Sequence, residues 1–368
     1  SGLESLGKER AKELSDSADR LGDALALQFA AGQVEGVSED VAVELSHLVA
    51  TFTAIVEALK PTPSADANDV NRIRAHQTMV GLLGDLGRIQ SANNDQLVWV
   101  SEDRGEHTIH LSLLEVGDVL RDNLWPQVSA ICTSATIPDG LVHQLGLPSE
   151  ATDVVVVPSP FNYAEHSLLY VARHLPDRLN DEAYFPQMLD ELAALITAAG
   201  GRTLSLFTNR TQMEKVAAEM TGRLATPILV QGKMSKQRLT ETFRDDESAS
   251  LFALDSFWQG FDIPGRSLSL VTIDRLPFRP PTDPVDKARR ERLGDSGFNK
   301  IDVPRAAMML AQGVGRLIRS TDDYGVVAVF DNRLATKSYR HQILRKMPPM
   351  KRTVDRAEVE AFLRRIVA

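Results

Sequence analysis

GGRTLSLFTNRTQMEKVAAEM, Gly200 to Met220, decides the fold class. The glycine pair ends a helix predicted over Phe185 to Ala199, whose apolar residues Met188, Leu189, Leu192, Leu195 and Ile196 recur at three- and four-residue steps. Thr203 to Phe207 is apolar and short, as a buried strand is. Thr211-Gln212-Met213-Glu214 then has the form of a capping box: the threonine hydroxyl accepts the Glu214 amide while the glutamate reaches back, so the spacing predicts a second helix there. The alternation continues with Ile228 to Val230, a helix from Ser235, Ser250 to Leu254, Leu268 to Ile273, a long helix from Val303, and Val326 to Phe330. Buried strands alternating with amphipathic helices specify an α/β fold from about residue 150, a mostly parallel sheet with helices on both faces. Ligands of such sheets sit at the carboxyl ends of the strands.

The preceding part differs. Leu14, Ala18, Leu21, Leu25 and Phe29, and later Val41, Leu45, Leu48, Phe52, Ile55 and Leu59, predict helices that pack on helices, the second capped by Ser38 and ending at Lys60 before Pro61. Pro61 to Asn68 reads as a linker, and a third helix carries Val70, Ile73, Met79, Val80 and Leu83. From Gln96 the period changes to two. Leu97 to Ser101 and His107 to Leu111 flank Glu102 to Glu106 as a hairpin, and a short helix and a strand over Ala130 to Thr136 are expected after it.

The net charge of −9 conceals two halves: residues 1–200 hold 12 Lys+Arg against 30 Asp+Glu, whereas residues 201–368 hold 29 against 20. A polyanion is therefore expected on the C-terminal half. Contiguous apolar runs such as Val154 to Val157 fall far short of a membrane span, no secretory signal opens the chain, and a cytoplasmic protein without a membrane partner is expected. One cysteine, Cys132, means that a four-cysteine iron–sulfur cluster is not encoded in this chain. The eight histidines show no metal-ligand spacing.

Four segments carry chemistry. In Ala306 to Ser320, a helix would set Gln312, Arg316 and Arg319 on one face, and Gly313 and Gly315, each costing roughly 1 kcal/mol in a helix, suggest a close neighbour. Paired guanidiniums suit the charge that grows on a transferring phosphoryl group; a solvated basic face is the bland alternative. In Leu254 to Gly265, Ser256 can donate to phosphate, Gly260 permits close backbone approach and Asp262 can accept from a ribose hydroxyl, while Phe257, Trp258 and Phe261 offer stacking faces or a core. Thr133, Ser134 and Thr136 are small hydroxyl residues at a strand end. Asn209 and Arg210 stand at a strand-to-helix turn, where a phosphate or a plain cap is equally at home. Two decoys fail. Gly2 to Lys8 mimics a P-loop, but Glu9 replaces the Mg²⁺-holding hydroxyl; Asp181-Glu182-Ala183-Tyr184 mimics a DEAH box after a polar stretch.

Taken in order, Thr133 to Thr136, Ser205 to Arg210, Ser256 to Gly265, Ile273 to Phe278, Gln312 to Ser320 and Val326 to Arg333 resemble the later helicase motifs of the DinG/XPD family within superfamily two. The resemblance implies a RecA-like sheet domain over 150–368, preceded by an Arch-like helical insertion over 1–104 and a closing segment of a first motor domain over 105–149. It implies a C-terminal fragment of an ATP-dependent DNA helicase, with the Walker A lysine and DEAH carboxylates, which bind most of ATP and Mg²⁺, lying upstream. Arg316, Arg319 and Gln312 would serve the phosphates as catalytic residues. Gly260, Asp262, Thr133, Ser134 and Thr136 would couple nucleotide to DNA. Asn209, Arg210, Ser256 and Trp258 would contact single-stranded or forked DNA, along which the family moves 5′ to 3′. Two other classes stay open: a non-catalytic nucleic-acid-binding or partner-docking module, and an RNA-directed ATPase.

Overall fold

The computed structural model describes residues 2–60, 69–134, 136–178, 180–254, 257, 268–279, 282–315 and 317–368. In chain order come α1 Gly2–Ala30, α2 Glu39–Leu59, α3 Asp69–Gln90, β1 Gln96–Asp103, β2 Glu106–Leu113, α4 Gly117–Asn123, α5 Leu141–Gln144 and α6 Tyr163–His166. Next are β3 Ser167–Val171, α7 Asp181–Ala198, β4 Thr203–Phe207, α8 Arg210–Thr221, β5 Ile228–Val230, α9 Lys236–Asp245, β6 Ser250–Leu254 and β7 Leu270–Ile273. The chain closes with α10 Pro284–Arg292, α11 Val303–Val314, β8 Gly325–Val329, α12 Arg333–Thr336, α13 Arg340–Lys346, β9 Lys351–Thr353 and α14 Arg356–Val367. Two compact units result: residues 1–129 with 142–151 and 281–294, and residues 130–141 with 152–280 and 295–368.

In the first unit the expected apolar stripes bury. Leu21, Ala24 and Leu25 of α1 meet Val41, Leu45, Leu48 and Phe52 of α2. Each of the larger side chains contributes roughly 1.5–3 kcal/mol over an exposed one, so packing rather than propensity holds these helices. Ser38 caps α2 by accepting from the Val41 amide at 3.3 Å. Buried Gln28 fixes the α1–α2 loop, donating to the carbonyls of Gln33 and Gly36 at 3.0 Å and accepting from the Ser38 amide at 2.8 Å. Over an 18-residue window α2 has a mean hydropathy of 1.5, long and apolar enough to cross a membrane, which counting contiguous runs misses; its apolar stripe lies in the helical core.

The hairpin forms as expected, β1 and β2 pairing antiparallel from Gln96 opposite Leu113 to Asp103 opposite Glu106. Arg104 (φ 55°) and Gly105 (φ 86°) supply the two positive-φ positions of its tight turn. Unanticipated from sequence, α10 joins this unit. Arg289 donates to the Leu114 carbonyl at 2.7 Å, Lys287 pairs with Glu35 at 2.7 Å, and Arg292 donates to the Asn94 carbonyl at 2.6 Å.

The second unit is built on a seven-stranded sheet, all parallel, in the order β5-β6-β4-β7-β8-β3-β9. Alternation splits the strands other than β9 between two cores. Leu169 and Val171, Leu204 and Leu206, and Val327 and Val329 face a core with Leu239 and Phe243 of α9 and Val303, Ala307 and Leu310 of α11. Leu168, Tyr170, Phe252, Leu270 and Ala328 face the other, with Met188 and Leu192 of α7, Met213 and Val216 of α8, and Val359 and Leu363 of α14. Helices thus cover both faces, as the alternation required.

Three expectations are corrected. Ala130 to Ser134 and Thr136 form no strand; Ile131 is 93% exposed, and among the described residues no strand lies alongside to satisfy the backbone. α7 begins at Asp181, four residues before Phe185, because the Asn180 side chain accepts from the Ala183 amide and acidic residues fill the first turn. α8 begins at Arg210 rather than at the supposed box. Asn209 is its cap, accepting from the Gln212 amide at 3.0 Å, and Glu214 pairs with Arg210 at 3.6 Å.

Candidate functional site

Parallel strands deliver their carboxyl ends to one edge of the sheet, and there the neighbours β4, β7 and β8 are laced together by side chains. Asp274, directly after β7, accepts from the Thr208 amide beyond β4 at 3.3 Å. Asp331, beyond β8, accepts from the Leu276 amide at 3.0 Å. From α7 the Tyr184 hydroxyl reaches the carbonyls of Asp274 (3.3 Å) and Phe330 (3.1 Å). Three strand ends are therefore held in register through two carboxylates and one phenol.

The two aspartates are 5% and 0% exposed, yet their proton affinities diverge. Burial pushes Asp274 up to about 6, because Arg275, with Nε 3.3 Å from Oδ2, and Arg178 offset only part of the desolvation. Burial also acts on Asp331, but Arg333 grips it with two parallel bonds, Nε to Oδ1 at 2.8 Å and Nη2 to Oδ2 at 2.6 Å, and its carboxyl lies below the ordinary range. Burial holds the Tyr184 phenol neutral, raised above its usual value.

This edge also carries Asn209 and Arg210, placed as expected at the β4–α8 turn. Asn209 spends its side-chain oxygen on the helix cap; Arg210 is exposed. Gln312 lies half-exposed near the end of α11. Gln312 and Arg319 do not share the helical face expected for them, because α11 stops at Val314 with Gly315 as its C-cap. Leu317 and Ile318 then turn into the core, which ends the helix by burial. Among the described residues a Cβ on Gly315 would meet the Ala311 and Gln312 carbonyls at 3.4 and 3.6 Å, an ordinary contact distance, and this glycine caps the helix. Arg319 sits past the helix, its amide and that of Ser320 both donating to Asp323 Oδ2 at 2.8 Å. Thr133 and Ser134 are exposed, and the Thr136 amide donates to Ser134 Oγ at 3.3 Å. Arg316, Ser256, Trp258, Gly260 and Asp262 lie outside the described residues. Among the described residues no group of three or more His, Cys, Asp or Glu could hold a metal.

Sequence reasoning assigns no role to Asp274, Asp331 or Tyr184. The available signal is an acid directly following an apolar strand, twice, in Ile273-Asp274 and Phe330-Asp331. Tyr184 has none, standing inside a rejected decoy.

An all-parallel sheet with helices on both faces is a RecA-like α/β architecture, whose ligands sit at the carboxyl edge of the strands. Comparison with known proteins agrees with that class. The family described as the helicase C-terminal domain matches residues 192–350. The ATP-dependent helicase DinG of Mycobacterium tuberculosis is 39% identical over 287 residues, covering 74% of this chain and 43% of that protein. The ATP-dependent DNA helicase YoaA of Escherichia coli is 38% identical over 288 residues, covering 76% and 45%. The solved structure of S. tokodaii Xpd4 superposes with a TM-score of 0.53 over 92% of this chain and 71% of that one, at 13% identity, a likeness of fold. The sequence likeness is to the helicase C-terminal domain family and to DinG-type helicases, and the chain spans less than half the length of the curated relatives it matches.

Proposed function

We propose that this chain is the C-terminal part of an ATP-dependent DNA helicase that moves 5′ to 3′ on single-stranded DNA. In this reading residues 150–368 are the second motor domain, 105–149 close the first and 1–104 form an Arch-like insertion. ATP with Mg²⁺ binds chiefly to the first motor domain. Arg316 and Arg319 reach its phosphates, where they stabilise charge on the transferring group, and Gln312 positions them. Gly260, Asp262, Thr133, Ser134 and Thr136 couple the nucleotide to the DNA path, along which Asn209, Arg210, Ser256 and Trp258 make contact. Such a motor works because ATP favours the closed state more than ADP does, and closing and reopening moves the strand.

The observation that carries the reading is the laced edge of β4, β7 and β8. It supports Asn209 and Arg210 on a preorganised frame instead of a free loop. The net charge of residues 201–368, 29 basic against 20 acidic, favours a polyanion on that stretch of the chain.

The test uses the 368-residue chain by itself. ATP hydrolysis should stay at background with and without single-stranded DNA, while DNA binding is retained and falls steeply with salt. DNA-stimulated turnover by this chain would contradict the assignment of the Walker residues to the upstream domain.

A further inference from the structure

Three aromatic rings meet at the same edge of the sheet unit without being sealed into the core. Phe278 lies beyond β7, Tyr339 stands before α13, and Phe298 opens the π-helical turn Phe298–Asp302 that leads into α11. Their ring centroids are 5.3 Å (Phe278 to Phe298), 5.7 Å (Phe278 to Tyr339) and 5.5 Å (Phe298 to Tyr339) apart. Phe278 and Tyr339 lean on the core beneath α11, whereas Phe298 stays 40% exposed. A supporting pair of half-buried rings thus backs a third that faces water. π-Helical turns concentrate at functional positions because they cost hydrogen-bond geometry to reposition a side chain.

Both signs of charge lie near the rings: Asp302, in the same turn as Phe298, is buried, and Asp295, three residues before Phe298, is exposed. Residues 333–354 contain seven Lys and Arg and no Asp or Glu. Lys300, in the same turn as Phe298, and Lys337, two residues before Tyr339, are exposed. A further nearby acid, Asp331, is buried and neutralised by Arg333, whose guanidinium also lies 5.5 Å from the Phe278 ring centroid.

We propose that Phe298, backed by Phe278 and Tyr339, is a stacking platform for an unpaired base of single-stranded DNA, with Lys300 and Lys337 facing the flanking phosphates. An exposed π-face binds any base without sequence readout, and cations beside it track the backbone. Duplex DNA offers no free base face, and an apolar peptide would gain nothing from the surrounding cations. The proposal rests on the DNA reading above and adds a site to it.

The test compares fluorescence anisotropy of the full chain with a thymidine oligonucleotide of about twelve residues and with an abasic oligonucleotide of equal phosphate count. The expected result is about tenfold tighter binding of the thymidine strand, a preference lost in Phe298→Ala and kept in Phe298→Trp. The variants change an exposed ring, and thermal melting checks that both fold. Equal affinity of the wild type for the two strands, or a preference that survives in Phe298→Ala, overturns the platform and leaves the DNA reading standing. Absence of binding to either strand overturns both.

Discussion

Replacing Asp274 by asparagine should stabilise the sheet unit at neutral pH, although it removes a charge that hydrogen-bonds. Asp274 is almost wholly buried, and its carboxyl is pushed up to about 6 from an ordinary 3.8, chiefly by desolvation. Because the folded-state value lies above the unfolded one, the stability attached to this group is fully present below about pH 3.8. It is lost as pH rises through about 6. At about 1.4 kcal/mol per unit, the ionised carboxylate costs the folded state about 3 kcal/mol at pH 8 and roughly half that at pH 5. Asparagine keeps an oxygen for the Thr208 amide and never ionises. Hydrogen exchange of the amides in Leu204 to Phe207 and Leu270 to Ile273 reads the opening of this unit directly. The variant should slow exchange about a hundredfold at pH 8 and about tenfold at pH 5. Equal exchange at pH 8, or a gap that widens towards acid, would refute the claim that Asp274 is a carboxylate held against its preference. A strained acid at a strand end is where stability is commonly surrendered for function.

Other consequences can be checked on the same chain. Tyr184→Phe removes the hydroxyl that reaches the carbonyls of Asp274 and Phe330 and should cost about 1–2 kcal/mol, read as a melting temperature lower by a few degrees. An unchanged melting temperature would show that the phenol does not hold the strand ends. Gly201→Ala should destabilise far more than Gly200→Ala. At Gly201 (φ 85°) a Cβ would stand 1.7 Å from the Ser248 carbonyl oxygen, whereas at Gly200 (φ 60°) nothing among the described residues lies within 4 Å. The second change then costs only its backbone strain of about 1 kcal/mol. Equal losses in urea denaturation would contradict the close approach of Ser248 as the cause.

The positions of strands were legible wherever an apolar run was bounded by glycine or by a capped helix, as at Thr203 to Phe207 and Ser250 to Leu254. Ser167 to Val171 escapes detection even though all its residues are buried, since its flanks offer no strong turn signal. Lys351 to Thr353 is an edge strand with exposed residues and so has no apolar run to find. Sequence patterning assigns no element to Pro284–Arg292, and nothing local announces that its arginines bind the backbone of Asn94 and Leu114. Within the site, Asn209 and Arg210 could be located because a strand-to-helix turn is a local pattern. The Asp274–Thr208 and Asp331–Leu276 bonds join residues 66 and 55 positions apart, and only the sheet order brings them together. Helical periodicity misjudged Arg319, because the burial of Leu317 and Ile318 overrode the period of the preceding residues.

The segment after α11 supplies the arginines of an ATP site in the proposed function, and everything else in that reading depends on it. Single-stranded-DNA-stimulated ATP hydrolysis in the full-length gene product carrying Arg316→Ala or Arg319→Ala tests this most directly. Turnover is expected to fall at least about a thousandfold below wild type with DNA binding intact. Hydrolysis at the wild-type rate in both variants would contradict it.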